Sequence, residues 1–345
     1  MAPTTVLSQS ESSFITSSLV LPTPIRTDGR GLHEFRPFEL STGVAPQANG
    51  SARVQLGHPG STNGTEAVTA VRLEVLDRPV GFGKDEGSSV GSRVDVTCSV
   101  DCSPSAFPLM DSKALDAYST YLTTLVQQTI PPLLPPLPIT SSLSFHYTID
   151  TLLTSTAAGN IPDVVFLSIR SALSDLRVPR TRNVAYQASL SIDENGESDM
   201  VGIKGAALGG GKKKGAADRK KGQALAKGAE FEIEDYWDEG ERLDESVRLD
   251  LPVCITLNIL PNSTHFLDAT TAESLASPTH LLTFINGKSE VVGLRLVGST
   301  EVGVADLKAL LTAAKTYASN LITASNASLD VPAVRVPGGL GYFGS

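Results

Sequence analysis

Histidines and paired carboxylates are the residue types in this chain that could ligate a metal ion or move a proton. The five histidines are scattered along the sequence, at His33, His58, His146, His265 and His280. No two of them have the i, i+4 spacing that places two metal ligands on one face of a helix. The acidic pairs at 193–194 and 238–239 stand in polar stretches that are typical of solvated loops. The sequence therefore predicts no metal centre and no cofactor.

A phosphate cradle or a catalytic nucleophile would each leave a recognisable motif. Gly209 to Gly211 precede three lysines, a combination that could surround a phosphate, but the GxxxxGK[ST] spacing and a preceding strand are both missing. The sequence also lacks the GxSxG elbow of serine hydrolases. The residues by themselves thus indicate an α/β protein without a recognisable active-site motif.

The three cysteines lie in strand-like segments. Cys98 and Cys102 belong to a run in which every second residue is Val or Cys, which places both thiols on one face of a strand. Cys254 stands in the apolar run PVCITLNIL. A CxxxC pair could ligate a metal, but unpaired cysteine more often behaves as a small buried hydrophobe. We therefore expect core thiols in a reduced, intracellular protein.

Length and charge limit the class of protein. The chain has 345 residues, 41% of them hydrophobic, and a formal net charge of −9. This length corresponds to about two domains or to one large duplicated unit. The negative charge argues against a protein that binds nucleic acid over its whole surface. No apolar run reaches the roughly 20 residues of a membrane helix, and the first residues do not resemble a secretory signal.

The order of predicted elements is mixed α/β. After a Ser/Thr-rich lead-in at residues 1–24 come several strands, and then a helix is predicted from about Asp111 to Ile130. The second half repeats this order, with a strand run SFHYTIDTLLTS, a helix DVVFLSIRSALSDL, short strands and a long amphipathic C-terminal helix. The NGK sequence at Asn286–Lys288 predicts a hairpin turn.

One stretch differs in composition from the rest. Residues 201–230 contain eight Lys or Arg against two acids, and residues 231–250 contain nine acids. Such blocks are usually solvated, so we interpret residues 197–246 as a mobile insertion in a compact fold. The alternative is that the basic half binds RNA. Its candidate RNA-binding residues are Lys212, Lys213, Lys214, Arg219, Lys220 and Lys221.

Four segments, taken in order, resemble the RNase PH-like family. They are IRTDGRGLHEFRPFEL (25–40), NGSARVQLG (49–57), LRVPRTRNV (176–184) and LPVCITLNILPNSTHFLDATTAE (251–273). Together with the last helix they extend the resemblance over nearly the whole chain. The IR-x-DGR opening and the GSAR strand are most similar to the branch of the family that supplies subunits of the eukaryotic RNA exosome ring.

The resemblance implies an RNase PH-like fold of duplicated βαβα modules, an α/β (α+β) class. The modules would cover about 25–140 and 141–330 of a domain at 25–345. It further implies a hexameric ring with other RNase PH-like subunits, closed by heterologous interfaces around an RNA channel. S1/KH-type cap subunits, an attached hydrolytic nuclease and RNA are the other implied partners, with no membrane. The implied localisation is the nucleus, including the nucleolus, and the cytoplasm.

The chain differs from phosphorolytic members of the family in the two segments that carry their catalytic residues. Phosphorolytic relatives hold inorganic phosphate with arginines before the first helix and carry a carboxylate pair after the second helix. Here residues 99–118 contain a single cation, Lys113, and the later segment reads DENGESDMV before the insertion. The resemblance therefore implies a non-catalytic ring subunit. A phosphorolytic exoribonuclease sharing its site with a neighbour, or a free-standing RNA-binding protein, remain alternatives. Arg30 and Asp268 are predicted to be structural, bonding turns.

Overall fold

The computed structural model describes residues 7–57, 64–77, 96–140, 143–184, 230–233, 240–260, 264–298 and 301–329. The helices are α1 (Gln9–Val20), α2 (Ser112–Thr129), α3 (Ile161–Asp175), α4 (Glu245–Asp250), α5 (Thr271–Ala276) and α6 (Val304–Leu329). The strands are β1 (Phe38–Thr42), β2 (Gly50–Leu56), β3 (Thr65–Asp77), β4 (Val96–Cys102), β5 (Leu137–Pro138), β6 (Leu143–Thr156), β7 (Arg177–Val178), β8 (Thr181–Val184), β9 (Glu230–Ile233), β10 (Glu241–Arg242), β11 (Val253–Ile259), β12 (His265–Leu267), β13 (Thr279–Ile285) and β14 (Val291–Gly298).

The first sheet has the order β1-β2-β3-β6-β4, with the short β5 also paired to β6. All its pairs are antiparallel except β4 with β6, which are parallel and are connected through α2. Burial alternates along β3 and β6, so one face of this sheet forms core and the other faces outward. The strand β6, expected at the start of the second module, therefore lies inside the first sheet. From Ala67 to Asp77 of β3 the two strands pair in one continuous register, and the register shifts between Glu66 and Ala67.

The second sheet has the order β12-β11-β13-β14 and is antiparallel throughout. Every residue of the central β11 is buried. The predicted hairpin joins β13 to β14: the side-chain Oδ1 of Asn286 accepts from the backbone N of Lys288 at 3.0 Å and of Glu290 at 2.9 Å. This side-chain turn is the reason that the NGK sequence reverses the chain here.

Helix α3 lies between the two sheets and is buried on nearly all sides. On the first sheet, Ser168 Oγ hydrogen-bonds Thr69 Oγ1 at 2.8 Å; on the second, the rings of Phe166 and Phe284 are 4.7 Å apart. A Cβ at Gly50 would come within 2.6 Å of the carbonyl oxygen of Ala172, so β2 can approach α3 only with glycine at this position. An apolar helix between two sheets explains the all-round hydrophobicity of this segment.

The predicted helices agree with those observed to within a few residues. Helix α2 begins after Asp111, whose Oδ1 accepts from the backbone N of Ala114 at 3.2 Å, and it ends before Pro131. Helix α3 begins at Ile161, two residues before the predicted start, with Pro162 in its first turn. The lead-in at 1–24 contains α1, whose N-terminus carries a capping box of Ser8 and Glu11.

The described residues fall into two units, residues 1–179 with 236–345 and residues 180–235. In the second unit β8 and β9 form an antiparallel pair. Most of the predicted insertion at 197–246 lies outside the described residues. Its described parts have regular structure: β9, β10, which pairs with β7, and the start of α4. Backbone pairing of these short segments is not visible in a charge pattern.

Two of the three thiols are fully buried, and all are unpaired. Burial raises the pKa of Cys98 to about 12 and that of the half-buried Cys102 to about 11, with smaller contributions from Asp150 and Asp101 respectively. The thiols are therefore core groups in protonated form. Among the helices that the structure describes, none has the length and apolarity needed to cross a bilayer.

Candidate functional site

The family-like segments 25–40 and 251–273 meet in one cluster of charged side chains. We call it the arginine–aspartate node and define it as Arg26, Asp28, Arg30, Arg36, Asp268 and Glu273. Asp268 is fully buried, and its carboxylate accepts from Arg30 Nη1 at 2.8 Å and from Arg36 Nη2 at 2.5 Å. Glu273 accepts from Arg26 Nε at 2.9 Å and from Nη2 at 2.7 Å. The bonds to Asp268 and those to Glu273 are charge-assisted hydrogen bonds between groups with little access to water.

The node also ties three backbone turns together. Arg36 donates its backbone N–H to Asp268 Oδ2 at 2.8 Å and its Nη1 to the carbonyl of Ala158 at 2.7 Å. The Nδ2 of Asn160 donates to Asp268 Oδ1 at 3.0 Å. Both Asn160 and Asp268 have positive φ angles, 53° and 48°. The side-chain bonds thus hold two left-handed backbone positions, one before α3 and one before α5, against the N-terminal segment.

Arg30 and Asp268, the residues predicted to be structural, are therefore in direct contact. Within the DGR turn Arg30 Nε also donates to Asp28 Oδ2 at 2.7 Å. Sequence reasoning missed the other members of the node. One signal was available for Glu273: Thr270 and Glu273 form a T-x-x-E capping box, with Thr270 Oγ1 accepting from the backbone N of Glu273 at 3.3 Å.

Charge is balanced within the node. Burial alone would raise the pKa of Glu273, but hydrogen bonds from Arg26 and Thr270 and the charge of Arg26 lower it below its usual value. Arg30 is paired with Asp28 as well as with Asp268. Three guanidinium groups therefore face three carboxylates. The node has no spare positive charge for a phosphate, and its chemistry is that of a structural junction.

The segment before α2 is where the resemblance places phosphate-binding arginines. Here it consists of the end of β4, a 3-10 turn at Pro104–Ala106 and the first turns of α2. Its one cation, Lys113, is exposed. Ser103 and Ser105 hydrogen-bond each other at 2.7 Å. The segment therefore offers no arginine clamp that could stabilise charge on a transferring phosphoryl group.

A buried carboxyl group lies at the first turn of α3. Asp163 accepts from Thr256 Oγ1 at 2.7 Å and from the backbone N of Thr256 at 3.3 Å, which joins α3 to the central strand β11. Burial raises the pKa of Asp163 to about 7, although hydrogen bonds from Thr256, Asn160 and Cys254 act in the opposite direction. A raised carboxyl pKa is common at functional sites, and it also marks buried polar links in a core.

Two histidines that were isolated in the sequence come together in the fold. The rings of His33 and His265 stack with centroids 4.8 Å apart, and His265 Nε2 is 3.2 Å from the hydroxyl of Tyr317. Burial, helped by the nearby His33, lowers the pKa of His265 to about 4. In the part of the chain that the structure describes, no three His, Cys, Asp or Glu side chains are arranged to hold a metal ion.

The candidate RNA-binding residues Lys212, Lys213, Lys214, Arg219, Lys220 and Lys221 lie outside the described residues. The DENGESDMV segment at 193–201 and the acidic pairs at 193–194 and 238–239 do so as well. Their predicted roles stay predictions.

The comparisons with known proteins agree with the resemblance. Residues 34–179 match the model of the RNase PH family, described as "3′ exoribonuclease family, domain 1". This region is an RNase PH family domain. It contains the first sheet, α2 and α3, and one arginine of the node, Arg36. The prediction of an RNase PH domain is thereby confirmed for residues 34–179.

Curated relatives of the chain are named as exosome components. The chain is 36% identical over 74 residues to exosome complex component RRP42 of Saccharomyces cerevisiae, covering 21% of this chain and 26% of that protein. It is 35% identical over 107 residues to putative exosome complex exonuclease RRP42 of Dictyostelium discoideum, covering 31% and 30%. The aligned part thus spans less than a third of each of these relatives.

The fold is that of solved exosome chains. A chain of the Archaeoglobus fulgidus exosome with RNA bound to the active site superimposes with a TM-score of 0.58 at 18% identity, over 91% of this chain and 97% of that one. The predicted RNase PH-like fold of mixed α/β class is confirmed. At 91% of the chain, the superposition extends well beyond residues 34–179.

Proposed function

We propose that this chain is a non-catalytic ring subunit of the RNA exosome core, acting in 3′–5′ RNA processing and degradation. The observation that carries the proposal is the conjunction of an RNase PH domain with a segment before α2 that lacks arginine. The names of the curated relatives support exosome membership. A phosphorolytic site needs cations that hold phosphate, and this segment supplies only an exposed lysine.

The role of the chain would then be architectural. It would complete the hexameric ring with other RNase PH-like subunits, line part of an RNA channel, and contact S1/KH-type cap subunits and an attached hydrolytic nuclease. A heterologous ring requires each subunit to present two different surfaces to its neighbours. The proposed localisation follows that of such a complex, the nucleus with its nucleolus and the cytoplasm.

The charge distribution is consistent with such a subunit. Residues 201–230 contribute 8 − 2 = +6, so the rest of the chain carries −9 − 6 = −15. An acidic body with one basic segment suits contact with RNA at a restricted place. We propose the six cations of Lys212–Lys214 and Arg219–Lys221 as that place. Their replacement by alanine would weaken RNA binding and flatten its salt dependence; an unchanged salt slope would contradict this assignment.

Phosphorolysis tests the non-catalytic role. The purified chain, incubated with single-stranded RNA and inorganic phosphate, is expected to release no nucleoside diphosphate. In a ring reconstituted with its partner subunits, Lys113→Gln is expected to leave phosphorolysis unchanged. Loss of phosphorolysis in an intact ring carrying this variant would instead favour a site shared with a neighbouring subunit.

Assembly is tested independently of activity. In native extract the chain is expected to co-migrate with a large complex, and a pull-down would identify its neighbours. Migration as a monomer of 36.2 kDa would contradict the ring assignment and favour a free-standing RNA-binding protein.

A further inference from the structure

Arg170, in the middle of α3, is a buried cation without a carboxylate partner. Only 2% of the residue is exposed. Its Nη1 donates to the backbone carbonyls of Arg248 at 3.1 Å and of Leu251, and its Nη2 donates to Asn326 Oδ1 at 3.3 Å. Its Nε has no hydrogen-bond partner, and no acidic side chain of the described residues lies within ion-pair distance.

A second cation lies close to Arg170, whose Nη1 hydrogen-bonds the backbone carbonyl of this second arginine. Arg248, on α4, is half-buried, and its Nε is likewise buried without a partner. Ser325, on α6 next to Asn326, is fully buried, and its Oγ also lacks a partner. Burial, together with the charge of Arg248, lowers the pKa of Arg170 to about 10. Helices α3 and α4 thus bring two positive charges close together, and α6 contacts Arg170 through Asn326.

The comparison with Arg26 shows what is missing. Arg26 is buried to a similar degree, and Glu273 neutralises it through two hydrogen bonds. At Arg170 the groups that accept hydrogen bonds are neutral: two carbonyls and an amide. Burying a charge is unfavourable unless an opposite charge compensates it. A guanidinium fork with free N–H groups is suited to bind an oxyanion through two parallel hydrogen bonds.

We propose that Arg170 and Arg248 form a site for a small oxyanion of the phosphate class where α3 meets α4 and α6. The two guanidinium groups supply the positive charge and the N–H donors. The site involves none of residues 99–118, so it is independent of whether the chain catalyses phosphorolysis. Its role is to compensate charge where α3 meets the C-terminal end of α4 and the last turns of α6.

Inorganic phosphate is the probe for this site. Thermal unfolding of the full chain is measured against phosphate concentration at constant ionic strength, with chloride as the balancing anion. The wild type is expected to show a saturable rise in Tm, and Arg248→Gln to need at least tenfold more phosphate for the same rise. Arg72→Gln, which removes an exposed arginine from the first sheet, is the matched control and should respond as the wild type does. Equal responses of all three proteins would overturn the proposal.

Isothermal titration of the wild type and of Arg248→Gln with phosphate gives the second readout. Saturable heat in the wild type that is lost in Arg248→Gln is expected, and absence of Arg248-dependent binding would refute the site.

Discussion

Arg36 and Asp268 are 232 residues apart in the sequence and are joined by three hydrogen bonds. The backbone N and Nε of Arg36 donate to Oδ2 of Asp268 at 2.8 and 2.7 Å, and Nη2 donates to Oδ1 at 2.5 Å. Arg36 lies within the RNase PH domain, whereas Asp268 lies beyond it, after β12. The pair therefore fastens the first sheet and the second sheet to each other at a point where neither sheet has regular pairing.

Removing the arginine of this pair should destabilise the fold. Arg36→Met leaves the Asp268 carboxylate buried with a reduced set of donors, and we expect a loss of about 3 kcal/mol in the free energy of unfolding. Urea denaturation followed by circular dichroism measures it. The double variant with Asp268→Asn should lose less than the sum of the two single losses, because the two residues act as a unit.

The control for this experiment is an exposed pair of the same chemistry. Arg53 Nε donates to Glu66 Oε1 at 2.7 Å on the outward face of the first sheet. Arg53→Met should change the free energy of unfolding by less than about 1 kcal/mol, because water solvates both partners. Equal losses at positions 36 and 53 would show that the node contributes no more than a surface ion pair.

Asp163 should make the stability of the protein depend on pH. Its pKa in the folded state, about 7, is above the ordinary value of 3.8. The folded protein therefore binds this proton more tightly than the unfolded chain does. The resulting stabilisation is fully present below pH 3.8 and is lost as the pH rises through about 7.

The Asp163→Asn variant isolates this contribution. It keeps the shape of the side chain and cannot ionise, so the fall in unfolding free energy between pH 5 and pH 8 should be smaller than in the wild type. Comparing the two proteins at each pH cancels the titration of His265, which both share. Parallel pH profiles for the two proteins would mean that Asp163 titrates in its ordinary range.

The thiols should be unreactive in the native protein. Cys98 and Cys102 have raised pKa values, about 12 and 11, so little thiolate exists at pH 8. A disulfide reagent should therefore react only slowly with the native chain. After unfolding in guanidinium, all three cysteines should react rapidly. Ser105→Cys, which places a thiol at an exposed position in the turn before α2, should react at once and serves as the control.

The outer edge of β14 should make the isolated chain prone to self-association. Four aliphatic side chains of this strand are exposed, and no strand in the described parts of the chain pairs with that edge. Leu296→Lys is expected to reduce concentration-dependent light scattering while changing the free energy of unfolding by less than about 0.5 kcal/mol. Val304→Lys, at another exposed aliphatic residue, should leave the scattering unchanged.

The sequence by itself determined the elements and the family. Local patterns suffice for both. A helix or strand buries one side of a short segment, so apolar residues recur along the sequence with the period of that element. The helices near 111–130 and 161–175 and the NGK hairpin were predicted from such patterns, and the motifs at 25–40 and 251–273 indicated the RNase PH family. Arg30 and Asp268 could be named from these motifs, but not as partners of each other.

Only the tertiary structure decided which distant residues meet. The membership of β6 in the first sheet, the Arg36–Asp268 bonds, the buried Asp163 and the unneutralised Arg170 each depend on contacts between segments far apart in the chain. The sequence alone does not show whether a charged residue is solvated, ion-paired or buried. Its pKa and its contribution to stability depend on the solvent and charges around it. This environment forms only when the two sheets pack against α3.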